Sequence, residues 1–435
     1  MKPFGLGLIA VAILAPLIWL PGIAQGRDVI ALFSQYIGLV ALIAMAIAHL
    51  IATRWPGIEA VFGPLDQSYR VHKWLGIGAM VAILVHDTID AEMRGLGAET
   101  ALVELAETLG EISLYGLLIL VVITIATFIP YHLWKWTHRL IGVFFVLGAF
   151  HYLFILKPFA NLDPLGIYML VVCVVGLIAY AYTSAPRVFR PFRRYQIDAL
   201  EPQGNAVSVT MKPLRRGIRH RAGQFAFTSF VGGGLTEPHP FTISAPPQAD
   251  GSLRFTIAPL GDYTGRVMRA LEVGADVRVE GPYGHFGARL DGPQIWVAAG
   301  IGVTPFAALA GALEPGQGPV TLVYSVRDAA SAPHLAELQQ RAQDNPAFSL
   351  VLWETSERGR LTSDDLAELA GDALTSARVM FCGPVEMRRA LQTGLATHGV
   401  TGRRFQYEEF EIRTGLGLRR IAERLGLRTR IMQRL

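Results

Sequence analysis

The sequence predicts a multidomain chain: a six-helix membrane-spanning bundle, then a small antiparallel β-barrel, then a doubly wound α/β domain. Three observations lead there. Apolar runs follow one another up to about Tyr182 and give way to ordinary soluble sequence beyond Arg187. Short alternating strands begin near Tyr195, and from Gln294 apolar strands alternate with helical segments. Domain boundaries follow at 1–186, 190–290, 291–411 and a basic tail, 412–435.

Composition supports this division. Hydrophobic residues make up 51% of the 435 residues and charged residues 17%, against roughly 25% charged in soluble proteins. The formal charge of +4 and the absence of a basic stripe with interleaved aromatics argue against nucleic acid as a partner. Two cysteines, Cys173 and Cys382, exclude a disulfide framework or a thiolate cluster.

Six runs approach the roughly 20 residues needed to cross a hydrocarbon core: about 4–24, 28–52, 70–90, 112–130, 137–156 and 164–183. The first, behind Lys2, also has the form of a cleavable signal but is long for one. Basic residues fix the orientation. Arg54, Arg70 and Lys73 lie on one side, with Lys135, Arg139 and the exit Arg187, Arg190, Arg193, Arg194. The opposite side carries the acidic loop Asp90, Glu92, Glu99, Glu104, Glu107, Glu111. The positive-inside rule puts the soluble half in the cytoplasm, below a bacterial-type inner or plasma membrane.

Ionisable residues inside apolar spans point to function. His72 and His86 lie in the third span, His138 and His151 in the fifth, and both spans run from inside to outside. Steps of 14 and 13 residues set two histidine levels about 20 Å apart. That spacing suits two haems stacked in one bundle, His72 with His138 inside and His86 with His151 outside. Zinc fits poorly, because sites so far apart cannot share one ligand cage. A step of 14 returns to within about 40° of the same helix face, whereas a step of 13 misses by about 140°. The fifth span must therefore bend, bulge or present its ligands from different sides. His49 and His132 are read as hydrogen-bonding residues.

In the soluble half, Tyr195–Leu200, Ala206–Met211, Gln224–Phe227, Phe241–Ser244, Leu253–Ile257 and Val277–Glu280 read as barrel strands. Ile295–Ala299, Val320–Ser325, Ser349–Glu354 and Arg378–Cys382 read as a parallel sheet. The first of these ends in Gly300-Ile-Gly302-Val-Thr304-Pro305-Phe306. Glycine lets backbone approach a pyrophosphate, and a helix N-terminus offers free N–H groups. The third glycine of the dinucleotide fingerprint is missing, and proline there is also a plain helix starter.

Five motifs in order resemble the ferredoxin-reductase superfamily in its ferric reductase and NADPH oxidase variant. His239-Pro240-Phe241-Thr242-Ile243-Ser244 looks like the flavin-binding strand, and Gly261-Asp262-Tyr263-Thr264 like the flavin phosphate turn. Gly281-Pro282-Tyr283-Gly284 resembles the loop joining the lobes, and the Gly300–Phe306 turn the nicotinamide-nucleotide site. Phe381-Cys382-Gly383-Pro384 is similar to the strand end that approaches the nicotinamide. The resemblance implies FAD, two b-type haems and NAD(P)H as cofactors. It gives Cys382 a catalytic position, with a terminal aromatic, here Phe410, over the flavin. Without that resemblance, Cys382 reads as a small buried hydrophobe.

Ser325 and Arg327, after the second strand of the parallel sheet, are placed to hold the 2′-phosphate of NADPH, with NADH the alternative. The implied function is electron transfer from cytoplasmic NAD(P)H through FAD and haem to an outer acceptor: ferric chelate first, then dioxygen or quinone. A membrane transport or binding protein with a nucleotide-sensing soluble half is the rival from another class. The tail, with arginine alternating with leucine and isoleucine, reads either as an amphipathic helix on the anionic leaflet or as disordered chain.

Overall fold

The structure, a computed structural model, describes residues 2–89, 96, 98–125, 131–185, 190–231, 235–287, 290–314, 316–402 and 404–408. Phe410, the tail and the loop acids Asp90 and Glu92 lie outside the described residues. The chain divides into two compact units, one reaching to Arg190 and the other spanning Pro191–Glu411.

The first unit is helical: α1 (Pro3–Leu14), α2 (Val29–Ala52), α3 (Pro56–Phe62), α4 (Leu65–Thr88), α5 (Ala101–Ile125), α6 (Tyr131–Arg139), α7 (Ile141–Phe154) and α8 (Pro164–Ser184). Among the described residues, five stretches are long and apolar enough to cross a membrane: Pro3–Ile23, Val29–Ala52, Ala101–Thr124, Leu133–Phe154 and Pro164–Ser184. Helix α4 has the length, 24 residues, but carries Asp66, Arg70, Lys73 and Asp87, so composition alone does not mark it. The expected six apolar spans are five by this measure.

Local chemistry explains the helix ends. Asp28 caps α2 by accepting from the Ile30 and Ala31 amides at 2.7 and 2.9 Å. Pro16 has no N–H to give the Ala12 carbonyl one turn back. Tyr168 Oη donates to that carbonyl instead, at 2.6 Å, and Tyr36 Oη donates to Ile13 O at 3.1 Å. The first helix is thus tied to α2 and α8.

The predicted fifth span is two helices. Leu140 interrupts it, its amide bonding to Thr137 O at 3.0 Å and its carbonyl accepting from Val143 at 2.9 Å, both one residue tighter than α-helical. The irregularity that the 13-residue step demands lies here, between His138 and His151. Glycines let the helices pack closely: a side chain at Gly142 would strike Tyr180, and one at Gly176 would strike Phe145.

The second unit holds two lobes. Strands β1 (Arg193–Gln203), β2 (Ala206–Pro213), β3 (Phe225–Phe230), β4 (His239–Thr242), β5 (Leu253–Ile257) and β6 (Asp276–Tyr283) form an antiparallel sheet in the order β4-β3-β6-β1-β2-β5. A bridge between Ile243 and Phe255 joins the two edges and closes a barrel. Inward residues alternate along the strands, Val209 with Met211 and Val277 with Val279, around Tyr195 and Phe255. Helix α9 (Asp262–Ala270) lies between β5 and β6.

The other lobe is a parallel sheet of β7 (Gln294–Ala299), β8 (Val320–Val326), β9 (Phe348–Glu354), β10 (Arg378–Cys382) and β11 (Phe405–Tyr407), ordered β11-β10-β7-β8-β9. Its helices include α10 (Thr304–Gly311), α11 (Leu335–Asp344), α12 (Ser363–Ala370) and α13 (Val385–Thr397). Trp296, Ala298, Leu322 and Tyr324 feed one apolar layer, while Ile295, Val297, Val323, Val379 and Phe381 feed the other. A strand buried on both faces has no polar side, which is why these runs read as continuously apolar. Each large apolar side chain so buried contributes about 1.5–3 kcal/mol. The chain winds outward from β7 to β9 and resumes on the other side at β10, so the switch point lies between β7 and β10, where open α/β sheets bind ligands.

Candidate redox centres

All four span histidines are held by their Nδ1 atoms. His72 Nδ1 lies 2.9 Å from Ala48 O, His86 Nδ1 2.9 Å from Ser34 O, and His151 Nδ1 2.9 Å from Ala106 O. A carbonyl only accepts, so each of these nitrogens carries the proton and Nε2 keeps its lone pair. His138 Nδ1 is 3.4 Å from Thr124 Oγ1, whose own proton goes to Leu120 O at 2.8 Å. The fourth ring is thereby given the same tautomer. This is the bonding that orients metal-ligating histidine, with the outer nitrogen anchored and the inner one free to ligate.

Helix register repeats the device. Ser34 and Ala48 stand fourteen residues apart on α2, as do His86 and His72 on antiparallel α4. The rings of His72 and His138 have centroids 6.0 Å apart and planes at 63°. Two imidazoles on opposite sides of one metal, with nitrogen bonds of about 2 Å, set their ring centres about 6 Å apart. Trp134 stacks on His138 at 5.2 Å and 23°. His86 and His151 lie within electrostatic reach of each other. Glycine faces each of them: Gly38 lies against the flat of the His86 ring, and a side chain on Gly110 would enter the His151 ring. These residues fit a haem at each level. His49 packs between Phe145 and Tyr180, at 5.2 and 5.5 Å, while the His132 side chain lies outside the described residues.

In the barrel, two of the predicted motifs come together. The His239 ring stacks on Tyr263, with centroids 3.4 Å apart and planes at 18°. Tyr263 Oη in turn donates to Glu237 O at 2.9 Å and Leu235 O at 3.2 Å. Burial and the Glu237 carboxylate push the Tyr263 phenol up. Pro240 and Phe241 are half-buried on β4 and Thr242 is buried; Ile243, wholly buried, bridges to Phe255. Gly261 precedes α9 in extended backbone. Thr264 Oγ1 accepts from the Leu260 and Gly261 amides at 3.0 and 3.1 Å, so its hydroxyl caps its own helix. The Ser244 hydroxyl is buried 2.9 Å from Thr256 Oγ1, in a network that runs into the other lobe.

At the switch point the sequence-predicted residues converge. Gly300 takes φ 53° with open space around it. Gly302 lies so close to the Cys382 carbonyl and Gly383 amide that no side chain fits. Thr304 and Pro305 then open α10. Pro384 caps α13. Ser325 is buried at the end of β8, paired between Ala299 and Trp353, and Arg327 is exposed beyond it. Cys382 is 4% exposed, and burial, with the Glu408 carboxylate, pushes its thiol far up. Its side chain packs into the core at the strand end.

Sequence reasoning passed over Glu408. Its carboxylate crosses the lobe seam to lie where a side chain on Gly284 would stand, beside Phe225, and it also acts on Cys382 within its own lobe. The only local signal was an acidic pair between aromatics in Tyr407-Glu-Glu-Phe410.

Comparisons with known proteins agree with the geometry. Three family models match: a ferric reductase like transmembrane component over residues 37–149, an FAD-binding domain over 191–287 and an oxidoreductase NAD-binding domain over 296–393. A flavohemoprotein of Chromobacterium violaceum is 29% identical, over 51% of this chain and 60% of that one. Ferric reduction oxidase 7 of Arabidopsis thaliana is 25% identical, over 62% of this chain and 39% of its own. Human dual oxidase 2 is 24% identical, over 57% and 18% respectively. The chain thus spans three fifths or less of each of these relatives. The solved flavohemoglobin of Malassezia yamatoensis aligns with a TM-score of 0.50 at 18% identity, covering 88% of this chain and 99% of that one, a likeness of fold. With all three models matched in order on a multi-pass helical unit and a two-lobed soluble unit, the chain belongs to the ferric reductase/NADPH oxidase superfamily.

Proposed function

We propose that this protein is a transmembrane flavohaem oxidoreductase that oxidises cytoplasmic NAD(P)H and reduces an acceptor, foremost ferric chelates, at the outer face. The observation that carries the reading is the His72–His138 pair, its ring centres 6.0 Å apart and both rings held by Nδ1. In this reading α4 is the sixth span. When bound, FAD accepts hydride from NAD(P)H and two b-type haems carry the electrons onward one at a time.

The chain's own residues do the rest. His72 with His138, and His86 with His151, would hold haem iron through Nε2, and the Ala48, Ser34 and Ala106 carbonyls and the Thr124 hydroxyl behind them keep the rings from turning. Two histidines committed to each level would leave the acceptor to be reduced by electron transfer without binding iron. His239 to Ser244 form the flavin strand, with Thr242 able to offer a hydroxyl, and the Gly261–Thr264 turn faces the diphosphate. Gly300, Gly302, Thr304 and Pro305 shape the nucleotide turn. Cys382, Gly383 and Pro384 border the nicotinamide, and Ser325 with Arg327 favours NADPH. Phe410 serves as the flavin-stacking aromatic. Glu99, Glu104, Glu107 and Glu111 are exposed on one stretch and attract ferric ions.

An optical spectrum of the purified protein, followed by NADPH oxidation with ferric chelate, oxygen and quinone in turn, tests this. Haem and flavin bands with fastest turnover on ferric chelate are expected. A colourless protein would overturn the reading.

A further inference from the structure

A closed polar ring crosses the seam between barrel and nucleotide lobe. His334, 1% exposed, precedes α11 with φ 61°, one of two non-glycine residues with positive φ among those described. Such backbone is uncommon outside glycine, and histidine is among the few other residues that adopt it readily. Its Nδ1 is 3.0 Å from Glu337 Oε2, and its Nε2 is 2.7 Å from Thr256 Oγ1 in the barrel. Glu337 pairs with Arg254 at 3.0 Å, and Arg254 donates to Ser244 O. Ser244 Oγ closes the ring on Thr256 at 2.9 Å. The His334 amide also crosses, donating to Gln203 Oε1 at 3.0 Å.

The ionised Glu337 carboxylate only accepts, so His334 Nδ1 donates to it, and one further hydrogen bond joins Nε2 to the Thr256 hydroxyl. Burial would raise the Glu337 carboxyl, but hydrogen bonds from His334 and Arg254, with the Arg254 charge, hold it down to about 2. Two further contacts stiffen the segment. Tyr324 Oη donates to Pro333 O at 3.1 Å, and Gly204, with φ 57°, lies against the Ser331 carbonyl where a side chain would collide. The ring thus links the stretch just after Ser325 and Arg327 to Ser244, the end of the flavin strand.

We propose that His334 is a positioning residue for hydride transfer: bonded to Thr256 and Glu337 across the seam, it sets the nucleotide lobe at a fixed distance and angle to the flavin strand. This rests on the reading that NAD(P)H reduces FAD in this unit. Hydride transfer is steep in distance, and a misplacement of about 1 Å costs on the order of a hundredfold in rate.

The test is rapid-mixing reduction of flavin by NADPH in the full-length protein, with flavin content measured alongside. His334→Ala should lower the saturating rate about tenfold or more at full flavin loading, with the half-saturating NADPH concentration little changed. His334→Asn keeps one donor and one acceptor and tolerates the positive φ, and should recover most of the rate. Where His334→Ala does not hold flavin, Thr256→Val carries the same test, because it removes only the hydroxyl that crosses the seam. Wild-type rates in His334→Ala and Thr256→Val, or a loss confined to the half-saturating concentration, would overturn the proposal. A wild-type flavin that neither NADPH nor NADH reduces would overturn the underlying reading first, and the positioning role with it.

Discussion

The imidazole of His151 lies over Gly110, so close that any β-carbon there would enter the ring. The ring is pinned from behind by Ala106 O at 2.9 Å. Gly110→Ala should therefore displace His151 and remove the outer haem, leaving about half the haem absorbance, since one level of two is lost. Gly38→Ala, whose β-carbon would stand 3.4 Å from the His86 ring, should keep nearly full haem. Haem quantified per polypeptide checks both, and full content in Gly110→Ala would contradict the placement.

Tyr168 replaces the hydrogen bond that Pro16 denies to Ala12. Tyr168→Phe leaves that carbonyl unsatisfied and should cost about 1–3 kcal/mol, read as a lowered melting temperature in detergent. The first helix should loosen before the rest, so proteolysis near residue 24 should accelerate.

Acid should weaken the two-lobed unit through Glu337. Its carboxyl sits at about 2 against an ordinary 4.5, so the ionised form is favoured by folding. The stability gained is complete above 4.5 and is lost as pH falls toward 2. It amounts to about 1–2 kcal/mol once partial solvent screening is allowed for. Glu337→Gln should flatten that limb of melting temperature against pH, and a limb as steep as wild type would remove Glu337 from the cause.

Much of this was legible in the sequence, and the exceptions have physical reasons. Barrel strands such as Leu253–Ile257 were legible because alternation is written locally, one face at a time. The paired histidines were legible because charge is rare in apolar runs. The break in the fifth span followed from helical pitch, but its place at Leu140 did not, since Gly142 and Gly148 both permitted an irregularity and neither fixed it. Helix α4 was readable as a span through its histidines more than its composition. Strand β11, three residues on a sheet edge, is too short to show a period. The ring of Ser244, Arg254, Thr256, His334 and Glu337 was invisible, because its crossing pairs lie 78 and 83 residues apart.

Arg327 stands exposed just past β8, beside buried Ser325. If it reads the 2′-phosphate, Arg327→Ala should weaken NADPH by about 1.5–3 kcal/mol, one charge-assisted hydrogen bond, and leave NADH nearly unchanged. Half-saturating concentrations for the two nucleotides check it, and equal losses would show that Arg327 does not discriminate.

If each histidine level holds a haem, the two levels set the order of electron flow. About 20 Å of helix separates them, while the bilayer core is about 30 Å thick, so neither level alone spans it. Flavin and nucleotide motifs follow the last span in the sequence, after Arg190, Arg193 and Arg194, which the positive-inside rule would put on the inner side. Replacing His86 or His151 should therefore spare reduction of flavin and of the inner haem by NADPH, yet abolish delivery to an impermeant ferric chelate outside sealed vesicles. Replacing His72 or His138 should stop electrons at reduced flavin. Stopped-flow spectra that follow flavin and haem bands separately distinguish the two cases. Wild-type reduction of external chelate by an outer-pair variant would show that electrons leave by another route.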